Sequence, residues 1–369
     1  MAYPLNKITI KGFKSIKSLE KFELKSINVL IGANGAGKSN FIDFFRMIRA
    51  MMELPLPGLK SPSLQTYVAD GGGSDDFLFN GPKITENIET ELMFGANGYR
   101  FKLAPTSDET FMINDEANHY IHYSQGWYNL GSGHYRPKLL ENMKSKSEVP
   151  RHIYNAIDSW RIYHFHDTSK FSPMRRSESV YDNDYFRFDA ANIAPFLLYL
   201  KARKKDVYDR IIDTIRLTAP FFENFILKPD LNEKARLLWH HKGFDYPLKP
   251  SHLSDGTLRF ICLAVALLQP YLPSTMIIDE PELGLHPYAI EILAELIKSA
   301  ANKTQLIIST QSPALVDFFE PQDIVVVDRN KGESILKRLD KADFNLWLED
   351  YSLGELWRKN IIEGTPGYE

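Results

Sequence analysis

An octapeptide near the N-terminus, Gly32-Ala33-Asn34-Gly35-Ala36-Gly37-Lys38-Ser39, constrains this chain more than any other feature. It satisfies every fixed position of G-x-x-x-x-G-K-[ST], follows the apolar run Ile27–Ile31 and leads into helical spacing over Asn40–Met52. A short, nearly continuous apolar run suits a strand buried on both faces of a sheet that helices cover. Strand, glycine-rich loop and helix in that order make a phosphate cradle. Glycines let successive backbone N–H groups curl around an anion, and the helix N-terminus adds its positive end. Lys38 reaches the outer phosphates of a nucleotide, and the Ser39 hydroxyl takes a Mg²⁺ coordination position. The complement is an apolar strand ending in two acids, Met276-Ile277-Ile278-Asp279-Glu280. Asp279 would hold the Mg²⁺, directly or through a water. Glu280, one residue on, would act on the attacking water as general base or polariser.

The organisation around these motifs is α/β. Lys7–Ile10 alternates, Ser15–Leu19 reads as an edge, and Thr85–Phe94 with Tyr99–Leu103 reads as a hairpin joined by Gly95–Gly98. Pro55, Gly58 and Pro62 break the helical pattern after Met52, and Gly71–Gly73 with Asp75 and Asp76 marks a loop. From Ala104 to Lys249 the texture is polar, aromatic-rich and weakly periodic. Strands are expected there at Trp160–His166, Phe225–Lys228 and Ala235–His241, and helices at Ala190–Arg203 and Val207–Leu217. After Pro250, helices at Leu258–Leu268 and Pro287–Ala300 alternate with strands at Thr275–Asp279, Gln305–Ser309 and Ile324–Asp328, which argues for a mainly parallel sheet. The expected plan is a split α/β domain, residues 1–103 plus 250–369, interrupted by a lid-like helical and mixed subdomain at 104–249.

Composition narrows the setting. Lys+Arg number 44 against 47 Asp+Glu, a net charge of −3, which excludes a globally basic nucleic-acid binder but not a local basic face. A single cysteine, Cys262, excludes an internal disulfide framework and a multi-cysteine zinc site. The longest apolar runs, such as Ile261–Leu268, fall short of the ~20 residues that cross a bilayer. Met1–Ile10 lacks the apolar core of a signal peptide. A soluble, cytoplasmic protein without a membrane partner is expected.

Here a resemblance becomes specific. Leu253-Ser254-Asp255-Gly256-Thr257, just before a helix, resembles the LSGGQ signature of ABC-type ATPases. Asp279-Glu280-Pro281-Glu282-Leu283-Gly284-Leu285-His286-Pro287 is similar to the DEPE-x-x-LHP string of the RecF, OLD and SMC-like branch. Ile10-Lys11-Gly12-Phe13-Lys14-Ser15 and Gly37-Lys38-Ser39-Asn40 look like the same branch. The resemblance implies a P-loop NTPase head of the ABC-ATPase type that binds and hydrolyses ATP with Mg²⁺, N-terminal antiparallel β elements joining a mainly parallel core. It further implies that two heads close head-to-tail, so that Ser254, Asp255 and Gly256 of one subunit cap the γ-phosphate held by the other's Gly32–Asn40. The family's T-H-S-P string is here Thr310-Gln311-Ser312-Pro313. Gln311 can hydrogen-bond a phosphate or water but carries no charge. The family's glutamine loop, a Mg²⁺ and water ligand, has Gln65 as its nominee, the one glutamine between the P-loop helix and the Thr85–Phe94 strand.

Other signals weigh less. His164, His166 and Asp167 offer metal-ligand types, although strand-end histidines more often hydrogen-bond core groups. His240 and His241 point to opposite faces if strand-like. Lys7, Lys11, Lys14, Lys17, Lys21 and Lys25 give the N-terminus a basic cast that fits either DNA across the closed heads or a solvated sheet edge. Trp347 and Trp357 with neighbouring leucines make an apolar tail, which packs on the head or docks a partner.

The functional expectation is an ATP-gated switch that dimerises around ATP-Mg²⁺, as a homodimer or within a higher assembly. It would control DNA engagement or a separately encoded effector such as a nuclease, in bacterial antiphage defence or DNA repair. The alternative is a RecF-like, ATP-dependent DNA-binding repair protein without such an effector. A fused TOPRIM nuclease is not expected, because 41 residues after Asp328 are too few for a domain of ~100 residues. A transporter's nucleotide-binding subunit fits poorly with the long 104–249 stretch.

Overall fold

The computed structural model describes residues 3–54, 63–122, 126–143, 147–344 and 347–364. The proline–glycine break at 55–62 and Leu346 of the tail lie outside them. The chain opens with β1 (Lys7–Phe13), β2 (Ile16–Glu23), β3 (Ile27–Ile31) and α1 (Lys38–Met51). Then come α2 (Leu64–Asp70), β4 (Ile88–Phe94), β5 (Asn97–Pro105), β6 (Phe111–Tyr120) and β7 (Trp127–Gly131). The middle holds α3 (Lys138–Asn142), α4 (Val149–Asp158), β8 (Arg161–Tyr163), β9 (Glu178–Ser179), α5 (Ile193–Arg203) and α6 (Lys205–Thr218). It continues with β10 (Phe222–Ile226), β11 (Lys234–Ala235) and β12 (Leu238–His241). The last third is α7 (Asp255–Leu268), β13 (Thr275–Asp279), α8 (Pro287–Ala301), β14 (Gln305–Ser309) and α9 (Pro313–Val316). It ends with β15 (Ile324–Asn330), β16 (Glu333–Arg338), α10 (Lys341–Phe344) and α11 (Leu353–Arg358).

Two six-stranded sheets face each other across α1. The core sheet runs β16-β15-β3-β14-β13-β8, parallel except for the antiparallel edge strand β16. The second sheet, β2-β1-β4-β5-β6-β7, is antiparallel throughout, with β2 at its edge. Side chains of a strand alternate between faces, and the core sheet uses that period to build two cores. Leu30, Ile277, Ile307, Val325 and Val327 point to α1 and the antiparallel sheet, meeting Phe41, Phe45, Ile8, Leu92 and Phe101. Val29, Ile31, Ile278, Ile308 and Val326 point the other way, to α5, α6, α7 and α8. Strands buried on both faces explain why β3, β13 and β14 read as continuous apolar runs. Asn28 interrupts β3 at 0% exposure, yet its amide donates to the Leu306 and Lys25 carbonyls and accepts from the Lys25 N–H, so no polar atom there is stranded.

The division expected at 103/104 falls inside β5. Residues 104–249 supply β6 and β7 to the antiparallel sheet, β8 to the edge of the core sheet, and α5 and α6 to the core that contains α7 and α8. They therefore share both cores of the head and do not stand apart from it. The weak periodicity of 111–120 conceals a ten-residue strand because Glu116 is buried for a structural reason. Its carboxylate accepts from the Tyr99 hydroxyl (2.9 Å) and from the backbone N–H groups of Lys138 (2.8 Å) and Leu139 (3.0 Å), with His134 Nε2 2.7 Å away. A buried carboxylate so completely bonded reads as surface polarity in sequence.

Candidate active site

The carboxyl ends of β3, β13 and β14 converge where parallel α/β sheets place ligands. The P-loop leaves β3 through three glycines with positive φ, Gly32 (150°), Gly35 (81°) and Gly37 (114°). A Cβ at Gly32 would overlap the Val327 carbonyl oxygen, and one at Gly37 the Ser334 hydroxyl. The loop is thus wrapped so closely onto β15 and β16 that only hydrogen fits at these two positions. Gly37 caps α1 without a side-chain acceptor, which leaves the helix's first N–H groups for a ligand. Lys38 is 5% exposed and donates to the carbonyls of Gly32 (2.5 Å) and Ala33 (3.0 Å). No carboxylate lies within ion-pair distance of it among the described residues. Burial holds its pKa below the ordinary lysine value, with Glu280, Asp279 and Glu282 pulling upward. A buried cation held only by carbonyls, beside the uncapped start of α1, fits a polyphosphate. Ala33 is half-buried, Ala36 is buried, and Asn34, Gly35 and Ser39 are exposed on the open side. Asn40, half-buried, donates through its amide to the Ser15 hydroxyl (2.7 Å), pinning α1 to the β1–β2 turn.

Asp279 ends β13, opposite Ser309 of β14. Glu280 follows with φ +43°, a left-handed turn that the Glu280 N–H secures by donating to the Ser309 carbonyl (2.8 Å). The turn separates the two acids onto different bearings. The Gln311 side-chain amide donates to Glu280 Oε1, which joins the acid expected to act on water directly to the residue at the family's histidine position. Glu282, to which the sequence motifs assign no role, organises this pair from behind. Its Oε1 accepts from the Thr310 hydroxyl (2.6 Å) and the Gln311 N–H (3.2 Å). Burial pushes the Glu282 carboxyl above the usual range, and its Oε2 has no hydrogen-bond partner among the described residues.

The signature stands at the start of α7. The Ser254 hydroxyl accepts from the Thr257 N–H (3.1 Å), capping the helix, while Ser254 itself is exposed. Gly256 packs so closely on the Asp279–Pro287 turn that a Cβ would overlap the Gly284 carbonyl oxygen. Asp255 accepts from Arg175 (2.9 Å), and Arg175 also donates to the carbonyls of Thr168 and Pro250. Arg259, one turn into α7 and 5% exposed, donates to the carbonyls of Phe165 (3.0 Å), His166 (3.3 Å) and Leu283. The Arg259 guanidinium therefore ties the signature helix to the turn that carries the acids, while Arg175 ties Asp255 to the backbone at Thr168 and Pro250.

Two nominated positions fall elsewhere or mean something different. The Gln65 amide donates to the Tyr135 carbonyl (2.8 Å) and the Phe111 carbonyl (3.4 Å), so it anchors α2 to the antiparallel sheet and has neither Ser39 nor Asp279 as a partner. The groups beside Asp279 are the histidines after β8, the neighbour of β13 in the sheet. His164 Nδ1 lies 3.9 Å from Asp279 Oδ2, His166 Nε2 lies 3.0 Å from the Asp279 carbonyl, and the two rings sit 3.9 Å apart. No cluster of three metal-ligating side chains occurs among the described residues, and Asp167 bonds instead to the Ser169 N–H (3.0 Å). Only the structure reveals this neighbourhood, because it depends on which strand lies next to β13.

Topology and site together define an ATPase head of the ABC and SMC-like type, whose longest described helix, α8, has 15 residues and forms no coiled-coil arm. The chain belongs to the family described as "AAA domain, putative AbiEii toxin, Type IV TA system", whose model matches residues 27–317. Among solved structures it is similar to an SMC head bound to the C-terminal winged-helix domain of ScpA, with 15% identity, a TM-score of 0.58, and 92% of this chain and 99% of that one covered. It is also similar to an SMC head with an extended coiled coil bound to the C-terminal domain of ScpA from Pyrococcus furiosus, with 15% identity, a TM-score of 0.53, and 94% and 99% covered. No curated protein matches the chain in sequence. No described helix is long and apolar enough to cross a membrane.

Proposed function

We propose that this ATPase is a nucleotide-gated switch that closes as a head-to-tail homodimer around two ATP-Mg²⁺ and thereby controls a separately encoded effector protein. The observation that carries the reading is the outward-facing Ser254 cap on a helix that Gly256 and Arg259 brace against the turn after Glu280. An exposed helix N-terminus so rigidly held makes sense as half of a site completed by a second copy. In this reading Lys38 and the Gly32–Asn40 amides hold the β- and γ-phosphates, and Ser39 and Asp279 hold Mg²⁺. Glu280 takes the water proton, and Gln311 reports the γ-phosphate. Mg²⁺, when bound, neutralises charge on the leaving phosphates. Ser254, Asp255 and Gly256 act in trans.

An effector protein is favoured over direct DNA binding by the fate of the N-terminal lysines. Lys7 pairs with Glu23 (2.9 Å), Lys11 with Glu20 (2.7 Å), Lys14 with Asp43 and Lys17 with Glu333 (3.9 Å), so four of the six are offset by carboxylates. The family description, with its type IV toxin–antitoxin reference, and the ScpA-bound SMC heads are consistent with a protein partner. A defence role, antiphage or toxin–antitoxin, follows as the preferred setting over repair. The composite site is tested by mixing two inactive variants, Ser254→Arg and Lys38→Ala. Half of randomly formed dimers would pair one of each and restore one of two sites, so phosphate release recovers to about one quarter of wild type. A mixture no more active than its parts would exclude the trans role of Ser254.

A further inference from the structure

The apolar C-terminal segment is absorbed by neither the catalytic site nor the proposed dimer contact, yet it touches both walls of the nucleotide cradle. The α11 helix is capped by Ser352 and Glu355 in a reciprocal box, and its Leu353, Leu356 and Trp357 are buried in the core that holds Leu315, Val316 and Val326. Gly354 lies directly on the first turn of α9. Its N–H donates to Asp317 Oδ1 (2.6 Å), and a Cβ there would overlap the Pro313 carbonyl oxygen. Ser312, the cap of α9, immediately follows Gln311, so α11 buttresses the helix on which the switch residue stands.

The segment then doubles back. Asn360, Glu363 and Gly364 all have positive φ, and the Trp357 indole N–H donates to the Gly364 carbonyl (3.2 Å). That bond sets Gly364 against the P-loop, where a Cβ on it would lie 3.5 Å from the Gly32 Cα and 2.9 Å from Val326. Gly32 already abuts β15 on its other side, so its freedom to move is bounded by Val327 and Gly364 together.

We propose that residues 351–364 form a strap that positions the switch residue Gln311 relative to the P-loop, with Gly354 setting the α9 side and Trp357 the P-loop side, so that phosphate occupancy is felt at α11. Both are positioning residues, since neither reaches the phosphates. The test uses full-length protein. Trp357→Phe keeps the aromatic volume but removes the donor to Gly364, and raises KM for ATP by roughly three- to tenfold, the range of one lost hydrogen bond, with kcat nearly unchanged. Gly354→Ala forces α11 off α9 and lowers kcat with KM nearly unchanged. Tryptophan emission changes when wild type binds Mg-ATP, and this change is lost in Trp357→Phe. Lys38→Met shows no change, which ties the signal to phosphate binding. The strap is refuted if the emission change persists in Trp357→Phe, or if wild type that demonstrably binds ATP shows none. A folded Trp357→Phe that keeps wild-type KM refutes it as well, whether or not Gly354→Ala folds.

Discussion

In the proposed site, single residues serve binding at the expense of the empty fold. Lys38 is the clearest instance. Its ammonium is desolvated and bonded only to two carbonyls, and its pKa is lowered in the folded state. A lowered lysine pKa means that the folded chain disfavours the charged form. The penalty is therefore fully present below the folded pKa and is relieved as pH rises from there to the unfolded value. The empty protein carries that penalty wherever the folded chain keeps Lys38 charged. Lys38→Met should accordingly raise the melting temperature of the nucleotide-free protein by a few degrees at pH 7, and by less as the pH approaches 10. The same variant should lose the stabilisation that ATP confers on wild type. Differential scanning fluorimetry across pH checks both. A lower melting temperature in the ligand-free variant would show that the carbonyl contacts outweigh desolvation. Glu282 follows similar logic. Its buried carboxylate, with one oxygen unpartnered, is retained because the other fixes Thr310 and Gln311.

Among elements, the decisive contacts join segments distant in sequence. Arg259 lies in α7, and its three carbonyl partners belong to the β8 exit and to the turn after β13. Arg259→Lys keeps the charge but replaces a planar fork with a single ammonium, leaving carbonyls without donors. The expected loss is about 1–3 kcal/mol of stability. A fall in kcat larger than any rise in KM should accompany it, since the P-loop is untouched. Urea unfolding beside steady-state kinetics reads both. The same distinction between local and distant contacts explains what is legible in the sequence. The P-loop, β3 and the Asp279-Glu280 strand are contiguous, and their chemistry is written in adjacent residues. The helices α5, α6, α7 and α8 show in their periodicity. The β6 strand stays hidden because Glu116 is buried by partners 17 to 23 residues away. Gln65 is singled out by its place between two motifs, whereas the neighbours of Asp279 are decided by β8 lying beside β13. Glu282, Arg175 and Gly364 act through contacts that no local spacing announces.

At the scale of the whole molecule, the proposed switch makes each head a half-site with two faces. The P-loop, Asp279 and Glu280 open on one side, and the Ser254 cap stands on a helix that Gly256 and Arg259 join to the turn following those acids. Such bracing means that whatever seats against the signature also presses on the Glu280 turn, and a second copy bearing ATP is the partner whose chemistry matches. The measurement that bears most directly on this account is light scattering of Glu280→Gln with and without Mg-ATP, alongside phosphate release. Removing the carboxylate that we propose activates water should slow hydrolysis by about 10²–10⁴-fold while leaving the phosphate cradle intact. Mg-ATP should then drive the variant from the 42.4 kDa of one chain to twice that mass, and Ser254→Arg added to it should abolish the shift. A mass unmoved by Mg-ATP, in a variant that binds the nucleotide, would contradict the dimeric switch.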